Sequence, residues 1–451
     1  MNRYSTALMW SIAAIALGAV AAWPWYINAR QNAARAAALP RPAPVTADYR
    51  DRDRTIAFWE RAADQHLRGD MLSPVQLSGQ YLQRYRERAD IDDVVRAVHA
   101  AQRSLRAQPY GNVNAEVALA SAYVALHRFR DALAVTKHLG RLQPGDPAMA
   151  IREASIDLEL GRYDDAARLV AQLRRLDGRR GGDDVRVALD TLFARYDELT
   201  GHLARARERF ARTAAAVDAR YDEPAQQRAW FWFRGGELAF EAGENDAAVA
   251  DEQRALAIFP DYSEANRMLA RVTCALHRWQ ACLDAANASA AVVPYPEVLG
   301  YEVDAQRALG DAAAAERTDD LIRTVERIGN AQHVSDRLLA IYYAEHRERP
   351  DDAYRIARAD LAVRDDIFTD DTLAWAAAMD GKWDEARARS VRALRLRTEN
   401  ALLDYHAGII ALHFGDRATA AARLQRALAL NPSFHPAYAD DARTRLAALS
   451  P

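Results

Sequence analysis

The chain has 451 residues, 50% hydrophobic and 27% charged, with 20 Gly and 16 Pro, a balance that excludes a disordered or low-complexity protein. Sixty basic residues interspersed with 63 acidic ones leave a net charge of −3, so no general field gathers a polyanion and nucleic acid is not an expected partner. Cys274 and Cys282 are the only cysteines, too few for a four-ligand structural zinc site.

From the amino end, Tyr4 to Ile27 carry no charge, and residues 7–27 form an apolar run bracketed by Arg3 and Arg30. At about 1.5 Å per residue the run spans roughly 30 Å, the thickness of a bilayer core. Trp23, Trp25 and Tyr26 gather at its far end, where amphipathic rings prefer the headgroup layer. Residues 1–28 are therefore expected to form a transmembrane signal-anchor. The alternative is a cleaved signal peptide, since Ala19-Val20-Ala21 has the small-x-small form a signal peptidase accepts. Residues 29–49, rich in Ala, Arg and Pro, read as a semi-rigid tether. The body then occupies residues 50–451. Counting Arg3 against Arg30, Arg35 and Arg41 favours a body on the inner side, whereas a single amino-terminal anchor and the cleavage motif favour export. We adopt the exported, periplasmic orientation.

One lead-in helix is expected over residues 50–67, with Ile56, Phe58, Trp59, Ala63 and Leu67 in helical register. Leu77, Ser78 and Tyr81 then open a first helix that Ala97, Ala101, Ser104 and Pro109 answer with a second, across a turn expected to hold extra residues at 90–93. Ala120, Tyr123, Phe129, Ala132 and Pro144 follow, then Ala154, Gly161, Tyr163 and Ala166. His127 and Gly161 both fall at turn positions, one period of about 34 residues apart. An insert at 177–183 precedes Ala194, Gly201, Ala206 and Phe210, and the next unit carries Gly236, Gly243, Ala248, Ala255 and Pro260. Ala275-Leu-His-Arg-Trp279 echoes Ala125-Leu-His-Arg-Phe129, which argues for duplication. Weaker units cover 296–328 and 334–365, the latter with Pro350 in its turn. The clearest units come last: Gly381-Lys-Trp-Asp-Glu-Ala386 recurs one period later as Gly415-Asp-Arg-Ala-Thr-Ala420, with Ala374 matched by Gly408 and Ala393 by Ala427. A closing amphipathic helix over 436–449 reads as a cap.

A small residue, a Gly at the turn, an Ala and a terminal Pro, recurring with a period of about 34 residues, resembles the tetratricopeptide repeat. The resemblance covers residues 71–450. It implies an all-α fold, a right-handed α-solenoid of about ten stacked antiparallel helix pairs following the single transmembrane helix. The ending Ala427-Leu-Ala-Leu-Asn-Pro-Ser-Phe-His-Pro436 is most similar to bacterial envelope members, which implies a single-pass protein of the bacterial inner membrane.

The chain has no Gly-rich loop ending in Gly-Lys-Ser/Thr, no His-Glu-x-x-His and no Gly-x-Ser-x-Gly. Accordingly no catalytic residue, cofactor or metal is expected, and the protein reads as no enzyme. His406 and His413 share a helical face, but Asp404 and Asp416 read as surface acids, so both histidines are expected to be solvated or in turns. The cysteines are read as two buried thiols, with a disulfide as the alternative in an exported body. By the resemblance, the concave groove is made by the first helix of each pair. Its expected partner-binding residues are Trp230, Phe233, Glu237, Phe240, Arg267, Arg271, Asp304, Arg307, Tyr342 with Glu345, Trp375, and Tyr405 with Ile409; exposed aromatics and Arg are common hot spots. Arg267 and Arg271 stand without the Asn and Lys of a carboxylate-gripping set, which argues against chaperone-tail binding. The expected function is a membrane-anchored scaffold that binds a protein or peptide segment, or helps assemble an envelope complex. The alternatives are an accessory protein that takes a small molecule or glycan in the groove, and a cytoplasm-facing regulator.

Overall fold

The computed structural model describes residues 51–65, 69–175, 182–220, 223–331 and 337–449. The expected membrane segment and tether lie outside the described residues, as does most of the insert at 177–183, and no helix among those described is long and apolar enough to cross a membrane. Thr46–Pro451 form one compact unit, and its described residues hold helices and no strand.

Among the described residues, a lead-in helix, α1 (Arg52–Asp64), is followed by ten antiparallel pairs. Pair 1 is α2 (Leu72–Arg88) with α3 (Ile91–Ala107), pair 2 is α4 (Val113–Ala125) with α5 (Phe129–Leu142), and pair 3 is α6 (Pro147–Glu159) with α7 (Tyr163–Arg175). Pair 4 is α8 (Asp183–Leu199) with α9 (Leu203–Asp218), pair 5 is α10 (Ala225–Glu241) with α11 (Asn245–Ile258), and pair 6 is α12 (Ser263–Ala275) with α13 (Trp279–Ala290). Pair 7 is α14 (Pro296–Ala308) with α15 (Ala312–Ala331), and pair 8 is α16 (Arg337–Glu345) with α17 (Pro350–Asp360). Pair 9 is α18 (Ile367–Met379) with α19 (Trp383–Ala393), pair 10 is α20 (Ala401–His413) with α21 (Arg417–Leu430), and α22 (Tyr438–Leu449) packs on α21.

Local chemistry sets the ends of these helices. Asn112, Asp146, Asp366 and Asn400 turn side-chain oxygens onto first-turn amides, and Pro147, Pro296 and Pro350 sit in the first turn of a helix, where no N–H is needed. Pro350 thus begins α17 rather than lying in the turn. Each of the ten turns between paired helices contains a residue with positive φ, among them His127, Gly161, His277, Gly381 and Gly415. The amide after it commonly returns to a carbonyl five residues back: Arg128 to Tyr123, Arg162 to Asp157, Lys382 to Ala377. That is the Schellman closure of a helix. In pair 1 the expected turn insert is absent, because Asp90 caps α3 directly and the extra residues lengthen both helices to 17 residues. Once nucleated, a helix absorbs added residues at the gain of one hydrogen bond each.

Small buried residues, Ala120, Ala154, Ala194, Ala270 and Ala374 among them, let the helices of a pair approach closely. First helices pack on first helices of the next pair, and second helices lie outside. The array also coils far enough to meet itself. The turn of pair 3 lies against the loop after pair 8, where a Cβ on Gly161 would stand 2.1 Å from the Asp365 carbonyl oxygen. The turn of pair 4 meets the loop after pair 9, with a Cβ on Gly201 placed 2.4 Å from the Arg397 oxygen. The turn of pair 5 meets the loop after pair 10, and His277 in the turn of pair 6 donates from Nε2 to the Pro436 oxygen at 2.8 Å. Five pairs therefore complete one turn of a coil whose successive turns stack edge to edge.

Candidate functional site

The first helices of pairs 4 to 10 surround a cavity of about 310 Å³ on the coil axis. One side of its wall is charged. Arg195 Nη1 donates to Glu198 at 2.8 Å, Arg234 Nη2 reaches the same carboxylate at 2.7 Å, and Arg234 also pairs with Glu237. Arg267 donates to Glu264 at 2.8 Å and to Glu297 at 3.1 Å. Arg271 donates to Glu241 at 3.0 Å, and Asn400 donates to the other Glu241 oxygen at 2.8 Å. Burial alone would raise the Glu198 pKa, but Arg195 and Arg234 outweigh it and hold the carboxyl below its usual value. At Glu241 burial wins over Arg271 and the pKa is raised. Burial depresses the Arg267 guanidinium, yet Glu264, Glu297 and Glu237 outweigh that and its pKa lies well above normal. In a medium of reduced dielectric such pairs hold each other firmly.

The rest of the wall, from α16 to the segment after α21, is mainly apolar: Leu338, Ile341, Phe368, Trp375, Leu403 and Phe434 line it. Its polar members include Arg337, Glu345, Asp371, Thr372, His406 and His435. His406 is 3% exposed, donates from Nδ1 to the Asp371 carboxylate at 3.0 Å, and stacks on the Trp375 ring at 4.2 Å. The wall is therefore amphipathic, with its ionic lining on pairs 4 to 7 and its mainly apolar lining on pairs 8 to 10, the two meeting where Asn400 donates to Glu241 and Arg195 lies over the Phe368 ring.

Of the expected groove residues, the structure brings together Glu237, Arg267, Arg271, Glu345 and Trp375 on the cavity wall. The others lie elsewhere. Trp230 is half-buried, edge-on to Phe210 and Phe231. Phe233 and Phe240 are core side chains, 5% and 0% exposed, and Arg271 lies over the Phe240 ring at 4.8 Å. Tyr342 is buried with its hydroxyl on Asp319 at 2.7 Å, and Tyr405 is buried with its hydroxyl on Asp441 at 2.8 Å. Asp304 binds His346 at 3.2 Å, and Arg307 donates to Asp319 at 2.8 Å. Even Trp375, on the wall, is 2% exposed and donates to the Tyr438 hydroxyl at 3.3 Å. The expectation of exposed aromatics thus fails: rings on tightly coiled first helices meet the neighbouring pair, and long charged chains reach the axis instead. Sequence reasoning missed Arg195, Glu198, Arg234 and Glu241, although Arg195-x-x-Glu198 and Arg234-x-x-Glu237 repeat one spacing on consecutive first helices.

Three further expectations are corrected. His406 is a core histidine, not solvated, because Asp371 and Trp375 enclose it. Asp404, read as a surface acid, is 1% exposed and binds Arg423 and Arg426. Cys274 and Cys282 form a disulfide across the turn of pair 6, with Cα atoms 5.0 Å apart, rather than two thiols; that separation lies within the range a disulfide spans.

No family model matches the chain, and no curated protein does. Among solved structures, it is similar to the type IV pilus biogenesis factor PilW at 19% identity and TM-score 0.39, over 48% of this chain and 93% of that one. A tetratricopeptide repeat protein from Parabacteroides merdae matches at 15% identity and TM-score 0.34, over 67% of this chain and 98% of that one. Yeast Tom70 matches at 12% identity and TM-score 0.33, over 84% and 95%.

Proposed function

We propose that this chain is a non-catalytic scaffold, tethered to the bacterial inner membrane by residues 7–27, whose body stands on the periplasmic side and holds a segment of a protein partner against the inner wall of its coil. The observation that supports the reading best is the wall itself. It runs through seven consecutive first helices and offers a charged half and an apolar half at once, the chemistry an extended amphipathic segment needs for register and for affinity. A pre-formed wall lowers the ordering cost of capture. The Cys274–Cys282 disulfide is in keeping with an oxidising compartment. Alkaline phosphatase fused after residue 50 should be active in cells; an inactive fusion would place the body in the cytoplasm.

The direct test is a pull-down from detergent-solubilised membranes with the full chain. A protein partner is expected, and Arg271→Gln should reduce its recovery about tenfold, the cost of one charge-assisted hydrogen bond of about 1.4 kcal/mol. Recovery of no protein would remove the scaffold reading. The cavity volume of about 310 Å³ also suits a small polar ligand or a glycan fragment, and that second reading gains if the wild-type chain captures nothing.

A further inference from the structure

We infer that the edge-to-edge seam of the coil is a latch, and that the inner wall becomes accessible when the seam opens while every helix pair stays folded. The inference rests on the inner wall being the binding surface only for its purpose; the latch itself stands on the seam. The wall lies on the coil axis, lined by the first helices of pairs 4 to 10, so an open seam gives a partner segment a path to it from the side.

The seam is built from groups that helix ends leave over. The Ile367 amide, first in α18, donates to the Tyr163 hydroxyl at 2.9 Å, and the Leu203 amide, first in α9, donates to Glu399 at 2.9 Å. Thr398 Oγ1 donates to the carbonyl of Leu199, the last residue of α8, at 2.5 Å. Asn431 Nδ2 donates to the carbonyl of Phe240, one residue from the end of α10, at 2.7 Å. First-turn amides and last-turn carbonyls have no i→i−4 partner within the helix, and the Phe240 oxygen keeps its bond from the Gly243 amide at 2.9 Å, so in an open coil water takes each seam partner's place and no internal ladder breaks. A helix pair in a stacked array draws its stability from its own packing and its sequence neighbours. Ile367 and Leu396 supply apolar contact with the core of pairs 3 and 4, which gives the closed form its preference.

The turn glycines give a matched test. Gly201 and Gly381 occupy the same turn position with φ of 71° and 76°, so replacing either by Ala carries the same left-handed backbone strain. Only at Gly201 does the added Cβ strike the seam, 2.4 Å from the Arg397 oxygen; at Gly381 it meets nothing within 4 Å. Hydrogen exchange on the full chain in detergent, read by mass spectrometry over the segments holding Ile367 and Leu203, measures opening directly, because both amides are protected only across the seam. Gly201→Ala should accelerate exchange there at least tenfold while mid-helix amides of α10 keep their wild-type rate, and Gly381→Ala should stay within twofold of wild type. Should Gly201→Ala fail to fold, Thr398→Val removes a seam hydrogen bond without a clash and should give the same selective acceleration. Equal rates in Gly201→Ala and Gly381→Ala, or wild-type exchange at both amides only as fast as global unfolding, would overturn the latch. Selective exchange without capture of any partner would leave the latch standing and the scaffold reading refuted; capture without selective exchange would do the reverse.

Discussion

Asp370 and Asp404 stand one repeat period apart, and each is a buried carboxylate on a first helix that gathers arginines from the second, joined at Asp370 by Arg395 just beyond that helix. Asp370, 0% exposed, accepts from Arg389, Arg392 and Arg395; Asp404 accepts from Arg423 at 2.7 Å and Arg426 at 2.9 Å. Burial raises the Asp404 pKa and Arg423 and Arg426 only partly offset it. Removing the acid strands cations that keep some water, so Asp404→Ala should cost about 2 kcal/mol, below the range for a fully buried pair, seen as a lower denaturation midpoint. Glu302 shifts in the same direction, with burial as its cause. It is buried, and desolvation pushes its pKa up to about 7. A carboxyl whose folded pKa exceeds its unfolded value of 4.5 favours folding fully below pH 4.5, and that contribution is lost as pH rises to 7. Stability should fall by on the order of 3 kcal/mol across that window, and Glu302→Gln should flatten the profile; a profile equally steep in the variant contradicts the assignment. The same Asp-to-Arg spacing, from Asp370 to Arg389 and Arg392 and from Asp404 to Arg423 and Arg426, was present in the sequence. It went unread because an acid on a helix looks solvated until its partner helix is known to supply the arginines.

At the scale of elements, the turn position was the most legible feature. Its regular recurrence placed His127, Gly161, Gly381 and Gly415 correctly in the turns between paired helices, and the Ala-Leu-His-Arg phrase marked pairs 2 and 6, where His127 and His277 each adopt φ of 55°. The disulfide was less legible. A sequence separation of 8 fits either outcome, and the crossing of α12 and α13 decides it by bringing the Cα atoms to 5.0 Å. The bridge closes the turn whose His277 meets Pro436 at the seam. Breaking it should cost about 2–3 kcal/mol by loop-closure entropy. The check is a denaturation midpoint lowered by reductant in the wild type and insensitive to reductant in the double variant Cys274→Ser, Cys282→Ser. Thiol labelling of unreduced, unfolded protein should find none free; two free thiols would contradict the bridge.

For the whole molecule, the α-solenoid was legible and its closure was not. Repeats specify how one pair sits on the next, whereas contact between Asn431 and Phe240, 191 residues apart, depends on a small rotation accumulated over five pairs. Glycine at the turn does not signal docking by itself, since Gly381 and Gly415 are open while Gly161, Gly201 and Gly243 are not. The expected aromatics pack between sequence-adjacent pairs, as Phe233 does on Tyr262, while Arg and Glu line the axis. Solution scattering from residues 46–451, the compact unit, tests this closure most directly. A coil stacked edge to edge should give a radius of gyration within a few ångström of the ~22 Å expected for a compact chain of that length. Ten pairs spaced by about 9 Å without a seam would form a body about 90 Å long with a radius of gyration of about 27 Å, and that result would contradict the closed coil.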